Sequence, residues 1–319
     1  MAYLANRGDD LEMRHCRVPF DLGRTRFVFY SPRDRDSIRE VIADADVVVN
    51  MIGKYYETGQ PAQTDKFPFV TYKTNYTFED ANVVIPRTLA EICLEMQVDH
   101  FVHVSSASAS PEAKSEWSRT KYAGEQAIKE VYPWATIIRP TQIFGRQDRL
   151  LNWFARCSRF HRMIPLVDGG SSLTQPVWVG DVARTILRVC DDAKKFDGKQ
   201  IDLFGPKDYS YSELASFVDD ITERDVRMVP VPYSLLRTAA GVLQYQREPL
   251  FTPDLVDQWS EDFLPTLKPQ EYKEQAEGAD KILTLEDMGL EATSIEKVMF
   301  EWLQSYRSGG HFHRVEGYH

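Results

Sequence analysis

Short runs of β-branched and aromatic residues alternate with stretches of helical spacing along most of this chain. Residues 2–6 (AYLAN) and 26–30 (RFVFY) read as strands, because such side chains suit a pleated surface. Over 34–45 (DRDSIREVIADA), Ile38, Val41 and Ile42 recur at helical spacing, and acids in the first turn favour the positive end of the helix dipole. The run 46–53 (DVVVNMIG) is continuously apolar, as expected of a parallel strand covered on both faces. Residues 78–96 give a helix with Pro86 inside it, and since proline suits a first turn, Pro86 is an alternative start.

The stretch from His100 to Gly145 reads strand, helix, strand: HFVHVSSASAS, then SEWSRTKYAGEQAIKE, then ATIIRPTQIFG. Beyond it come an amphipathic helix at 148–160, a strand running into a helix at 174–190 with Asp181 placed to cap it, a strand at 198–206 and a helix at 211–222. From Val229 prolines separate short helices, and a last helix is expected over 294–306. This alternation predicts an α/β fold, a Rossmann-like doubly wound parallel sheet (1–228) with a smaller C-terminal helical lobe (229–306) and a tail (307–319). Ligands of such a sheet bind at the carboxyl ends of its strands, here Asn6-Arg7, Asn50–Gly53, Ser105–Ser108 and Pro140–Gly145. The irregular stretch 54–77, rich in Tyr and Phe, is either an interaction loop or a surface insertion.

The net charge of −10 over 319 residues argues against a general nucleic-acid role, though not against a local basic patch. No apolar run approaches the roughly 18–20 residues of a membrane span. Cys16, Cys93, Cys157 and Cys190 lack metal spacing and read as reduced thiols; His311 and His313 in the Gly-rich tail read as a flexible end, not a metal pair. MAYLANRGDD has neither a basic amphipathic run nor an apolar stretch of the kind that marks a targeting segment.

A dinucleotide sheet opens with a strand and a glycine-rich turn that lets backbone approach the pyrophosphate. No such turn precedes Arg7. The expectation is that both lie upstream, because a parallel sheet without its central first strand leaves unpaired backbone on its neighbours. At the end of the second strand an acid accepts from the ribose of NAD, whereas an arginine accommodates the 2′-phosphate of NADP. Arg7 therefore favours NADP(H), Asp9 and Asp10 just beyond it count against this, and a solvent-facing arginine in a turn is the alternative.

The motifs HVSS, the Lys121 helix, IIRPTQIFG, PVWVGDVA and GKQIDLFGP together resemble the extended or atypical short-chain dehydrogenase/reductases. More closely, VVNMIGKYYET, NYTFEDANVVIPR, IIRPTQIFGRQDRLLNWFA and LFGPKDYSYSEL resemble one branch, the NADPH-containing accessory subunits of mitochondrial respiratory complex I (NADH:ubiquinone oxidoreductase). In the superfamily a Tyr four residues before a Lys is the proton donor. Here Lys121 matches the Lys, but Trp117 holds the Tyr position, and an indole is only a nonacidic donor. Tyr122 points about 100° around the helix from Lys121. Ser31 stands where the superfamily often carries an Asp. The resemblance implies a cofactor shelf in which Arg7 takes the 2′-phosphate and Ile52 and Gly53 border the adenosine. In it, Val104, Ser105 and Lys121 hold the nicotinamide ribose, and Pro140, Thr141, Gln142 and Ile143 lie beside the ring. It further implies a structural NADP(H), no catalytic residue, and a matrix-side place at the inner mitochondrial membrane. The partners implied are complex I subunits at the junction of the hydrophilic and membrane arms, beside the quinone-binding region. An active NADP-dependent reductase or epimerase and a free NADP(H)-sensing regulator are the alternatives. Trp153, Trp178, Trp259 and Tyr245 are candidate interface anchors, with a buried core position the stronger reading for Trp178.

Overall fold

A computed structural model describes residues 1–7, 13, 16, 21, 23–57, 76–244, 249, 251–275 and 281–307. Most of the expected loop, Asp9 and Asp10, Tyr245 and the tail after Arg307 lie outside the described residues. The strands are β1 (Ala2–Asn6), β2 (Thr25–Phe29), β3 (Val47–Asn50), β4 (His100–Val104), β5 (Thr136–Pro140), β6 (Ile143–Phe144), β7 (Met163–Val167), β8 (Leu173–Thr174), β9 (Val177–Trp178), β10 (Gln200–Leu203), β11 (Tyr209–Ser210) and β12 (Arg227–Val231). The helices are α1 (Arg35–Ile42), α2 (Ile85–Glu95), α3 (Glu116–Val131), α4 (Leu150–His161), α5 (Val179–Asp191), α6 (Tyr211–Thr222), α7 (Tyr233–Leu243), α8 (Pro253–Trp259), α9 (Pro269–Glu274), α10 (Ile295–Val298) and α11 (Phe300–Leu303).

A four-stranded parallel sheet in the order β10-β5-β4-β3 forms the centre, as the alternating pattern predicts. Successive residues of its strands face opposite ways, and both faces are covered. Phe101 and Ile137 point into a core with Ile38, Ile92 and Ile128 of the α1–α3 layer, while Val102 and Ile138 point into one with Val182 and Val189 of α5. β1 and β2 pair in parallel with each other but are not hydrogen-bonded to the four-stranded sheet.

The helix expected over 78–96 does not begin at Pro86. It starts earlier and passes through a wide π turn at Asp80–Val84, where Ile85 N–H donates to Asp80 O. Pro86 has no N–H for the carbonyl of Asn82, four residues back, and its ring crowds that carbonyl; widening the turn accommodates both. The Asn82 carbonyl then meets α3 at Gly124, where an added Cβ would lie 1.9 Å from its oxygen. One residue on, Glu125 is buried and accepts from the buried Arg139 of β5, with Nε 2.9 Å from Oε1. Glycine and ion pair together fix α3 against both α2 and the sheet.

The chain after Thr222 is not purely helical. RMVPV forms β12, parallel to β7. Pro230 is tolerated there because it is exposed on a strand paired along a single edge. The last helix is broken into α10 and α11 at Met299. Trp153 and Trp259 are core residues and not exposed anchors. Their rings lie 4.9 Å apart, Phe251 is 4.9 Å from Trp153, and all three are buried in a core built from α4, α6, β7, α7, α8, α10 and α11. Trp178 is half-buried, with the Arg184 guanidinium over its ring. Asp181 does not cap α5 as expected; its carboxylate accepts from the N–H of Thr293 (2.8 Å) and pins the C-terminal segment to the sheet domain.

Removing one member of a buried ion pair leaves the other charge unpaired, at a cost of about 3–5 kcal/mol. Arg139→Ala should therefore lower unfolding free energy in urea by that order, while Glu125→Met with Arg139→Leu should cost much less. Gly124→Ala should also destabilise by about 1–3 kcal/mol, because backbone must move to admit the methyl.

Candidate functional site

Lys121 projects from α3 toward the carboxyl ends of β3 and β4 and is 4% exposed. Its ammonium donates to Val104 O (3.3 Å) and lies 3.4 Å from where a Cβ on Gly53 would sit. A side chain at position 53 would press on that ammonium, so glycine there lets the turn after β3 close over it. Burial lowers the Lys121 pKa from 10.5 to about 8, against the nearby charge of Glu125. Beneath it, Asn50 and His103 form a buried pair, Nδ2 to Nδ1 at 3.0 Å, and Asn50 Oδ1 accepts from Ile52 N–H. Burial, reinforced by the Lys121 charge, pushes His103 well below its usual pKa, so it is neutral. Three buried polar atoms around this point lack a protein partner: His103 Nε2, Ser105 Oγ and Asn82 Oδ1.

A second cluster forms where β1 ends. The guanidiniums of Arg7 and Arg33 lie over the ring of Tyr76, at 4.8 and 4.2 Å from its centroid. Lys54, next to Gly53, donates to the Tyr76 carbonyl and joins this cluster to the first. Burial, with the charge of Arg7 adding to it, lowers the Lys54 pKa. Arg33 also pairs with Asp80. Ser31 donates its backbone N–H to the Ser37 hydroxyl oxygen (3.1 Å).

Trp117 sits at the start of α3 with its ring 5.9 Å from the Lys121 ammonium. Asp254 of α8 accepts from the N–H groups of Glu116 (2.6 Å) and Trp117 (3.3 Å), and Glu261 accepts from Lys114 N–H. Carboxylates at a helix N-terminus satisfy donors that have no partner within the helix. The C-terminal lobe thus closes on the turn that carries Trp117. Ser115, Ser118, Ser108 and Ser106 form a chain of hydroxyls with links of 2.8–3.0 Å, from the α3 cap back to the end of β4. Tyr122 lies near Arg139.

The structure brings Ile52, Gly53, Val104, Ser105 and Lys121 together, and connects Arg7 to them through Lys54. Thr141 is placed differently from a residue facing a ligand: its hydroxyl donates to the carbonyls of Gln175 and Leu203, and its N–H to Leu203 O. Gln142 and Ile143 run into the β6–β9 pairing, where Gln142 O accepts from Val177 N–H. Pro140 ends β5, where its carbonyl accepts from Ala107 N–H. Sequence reasoning included Asn50 in the strand end Asn50–Gly53 but passed over His103, Arg33, Tyr76, Asn82 and Asp254. His103 could have been found, since a polar residue inside an apolar strand needs a partner. Asp254, 137 positions beyond Trp117, carries no local signal.

A family model described as NAD dependent epimerase/dehydratase matches residues 4–203. The mouse mitochondrial NADH dehydrogenase [ubiquinone] 1 alpha subcomplex subunit 9 is 34% identical over 307 residues, covering 95% of this chain and 73% of that protein. The Neurospora crassa mitochondrial NADH-ubiquinone oxidoreductase 40 kDa subunit is 31% identical, over 95% of this chain and 72% of that protein. Among solved structures, a dTDP-glucose 4,6-dehydratase from Streptomyces venezuelae shares the fold, with a TM-score of 0.65 and 16% identity, covering 95% of this chain and 86% of that one. Among the described residues, no helix is long and apolar enough to cross a membrane.

The depressed Lys121 pKa makes the folded chain bind fewer protons than the unfolded chain between about pH 8 and 10.5, so its contribution to stability rises with pH there. Lys121→Met should remove that rise, on the order of 3 kcal/mol across the window, in urea titrations of the nucleotide-free chain at the two pH limits.

Proposed function

Since the chain belongs to the NAD dependent epimerase/dehydratase family, and within it to the complex I alpha subcomplex subunit 9 and 40 kDa subunit homologues, we propose that it is a non-catalytic accessory subunit of mitochondrial complex I that holds NADP(H) as a structural element. The observation that carries this is the pairing of a preserved Lys121 with Trp117. The ammonium is buried and aimed at the strand ends, yet the side chain above it can neither give nor take a proton.

The residues present fit a pyridine nucleotide. Lys121 spends one donor on Val104 O, and Ser105 Oγ and His103 Nε2 are buried without partners; the hydroxyls of a nicotinamide ribose satisfy such groups. Arg7, with Arg33 and Lys54 around Tyr76, supplies the cationic end suited to a 2′-phosphate. Gly53 lets backbone approach the ligand between the two. Pro140, Gln142 and Ile143 would flank the ring end, with Thr141 holding that segment's backbone. A nucleotide held there stabilises the fold by mass action, because it binds the native state alone.

The mitochondrial homologues support the matrix side of the inner membrane as the proposed location. The junction of the two arms of complex I, beside the quinone site, is the proposed place, and subunits of that region are the proposed partners. In gently solubilised mitochondria the protein should migrate with complex I; migration as a small free species alone would refute the proposal. Purified full chain should oxidise no NADPH with carbonyl substrates. A robust rate that disappears in Lys121→Ala would show a working reductase instead.

A further inference from the structure

We propose that the carboxyl end of α4, with the start of β12, is a docking surface for a bilayer rich in anionic phospholipid. Arg156 and Arg159 lie on the exposed side of α4, Arg162 ends the helix in a left-handed turn, and Arg227 donates its N–H to Arg162 O (3.3 Å). Register places Arg227 directly across from Met163. The four arginines are therefore neighbours, all exposed, and none pairs with a carboxylate among the described residues. Phe160 is 69% exposed and Met163 45% exposed within this cationic ring. The opposite side of α4 is the buried core face of Trp153, Phe154 and Cys157.

Cations in a last helical turn complement the helix dipole, which accounts for Arg159 and His161. It does not account for Arg156 one turn earlier, for Arg227 on another element, or for two large apolar side chains left in water. Of the neighbouring acids, Glu223 pairs with Arg307, while Asp219, which accepts the Val226 N–H, and Asp225 offset part of the charge. A chain of net charge −10 is repelled by an anionic surface as a whole, so attraction needs a local cationic patch. Charge complementarity with exposed phosphates, together with apolar tips that enter the headgroup boundary, fits a bilayer better than a folded acidic partner, since a bilayer accepts isolated Phe and Met tips at no fixed register.

Flotation of the full chain with vesicles tests this independently of the nucleotide site. Vesicles of equal parts phosphatidylcholine and phosphatidylserine should bind the protein, and vesicles of phosphatidylcholine alone should not. Each arginine near such a surface is worth about fivefold in partitioning, so Arg156→Gln with Arg159→Gln should weaken binding by roughly 25-fold. High salt should do the same. Phe160→Ser should weaken it with the charge intact. Thermal melting of each variant controls for folding, and unchanged NADP(H) affinity separates this surface from the cofactor site. Equal binding to both vesicle types, no effect of the arginine variant, or binding to soluble poly-glutamate but not to vesicles would overturn the proposal.

Discussion

The buried pair between Glu125 of α3 and Arg139 of β5 is the constraint on which the candidate site depends. Burying two charges is favourable only when their geometry is tight and their remaining hydrogen-bonding capacity is used. Here two guanidinium nitrogens meet both oxygens of the carboxylate. The pair sets the depth and rotation of α3. One turn before Glu125, that rotation places Lys121 beneath Gly53 and against Val104 O. One residue before it, Gly124 lets the Asn82 carbonyl approach, which in turn depends on the π turn that Pro86 imposes. A pocket whose main cation is buried therefore needs little from loops.

The start of α3 carries Trp117, whose indole is a nonacidic donor, beside the buried Lys121. Asp254 and Glu261, far along the chain, bind that start. Capping by carboxylates from another part of the chain stabilises α3 and couples residues 254–261 to the helix that carries Lys121.

Most of the fold was legible because its signals are local. The apolar run at 46–53 and the HFVHV run betray strands buried on both faces, and the Lys121 helix carries its own cap in Ser115. Gly53 falls at a strand end, whereas Lys121, on α3, and Val104 were placed by the resemblance. What escaped was set by distant contacts. RMVPV was hidden by its proline, Pro230, which an edge strand tolerates. Trp153 and Trp259 gave no sign of being core, since the aromatic cluster joins helices about a hundred residues apart. The resemblance places Thr141 beside the ring, and its hydroxyl meets two backbone carbonyls, which no local signal shows. Asp181 read as a local cap, and its partner turned out to be Thr293.

The central claim is that this chain carries a pyridine nucleotide into complex I without turning it over. The most direct measurement is the NADP(H) and NAD(H) content of complex I denatured after purification, with and without this subunit. The account requires NADP(H) in stoichiometric amount with the chain, and its loss from complex lacking the chain. Intact complex free of NADP(H), or a content unchanged when the subunit is absent, would contradict it.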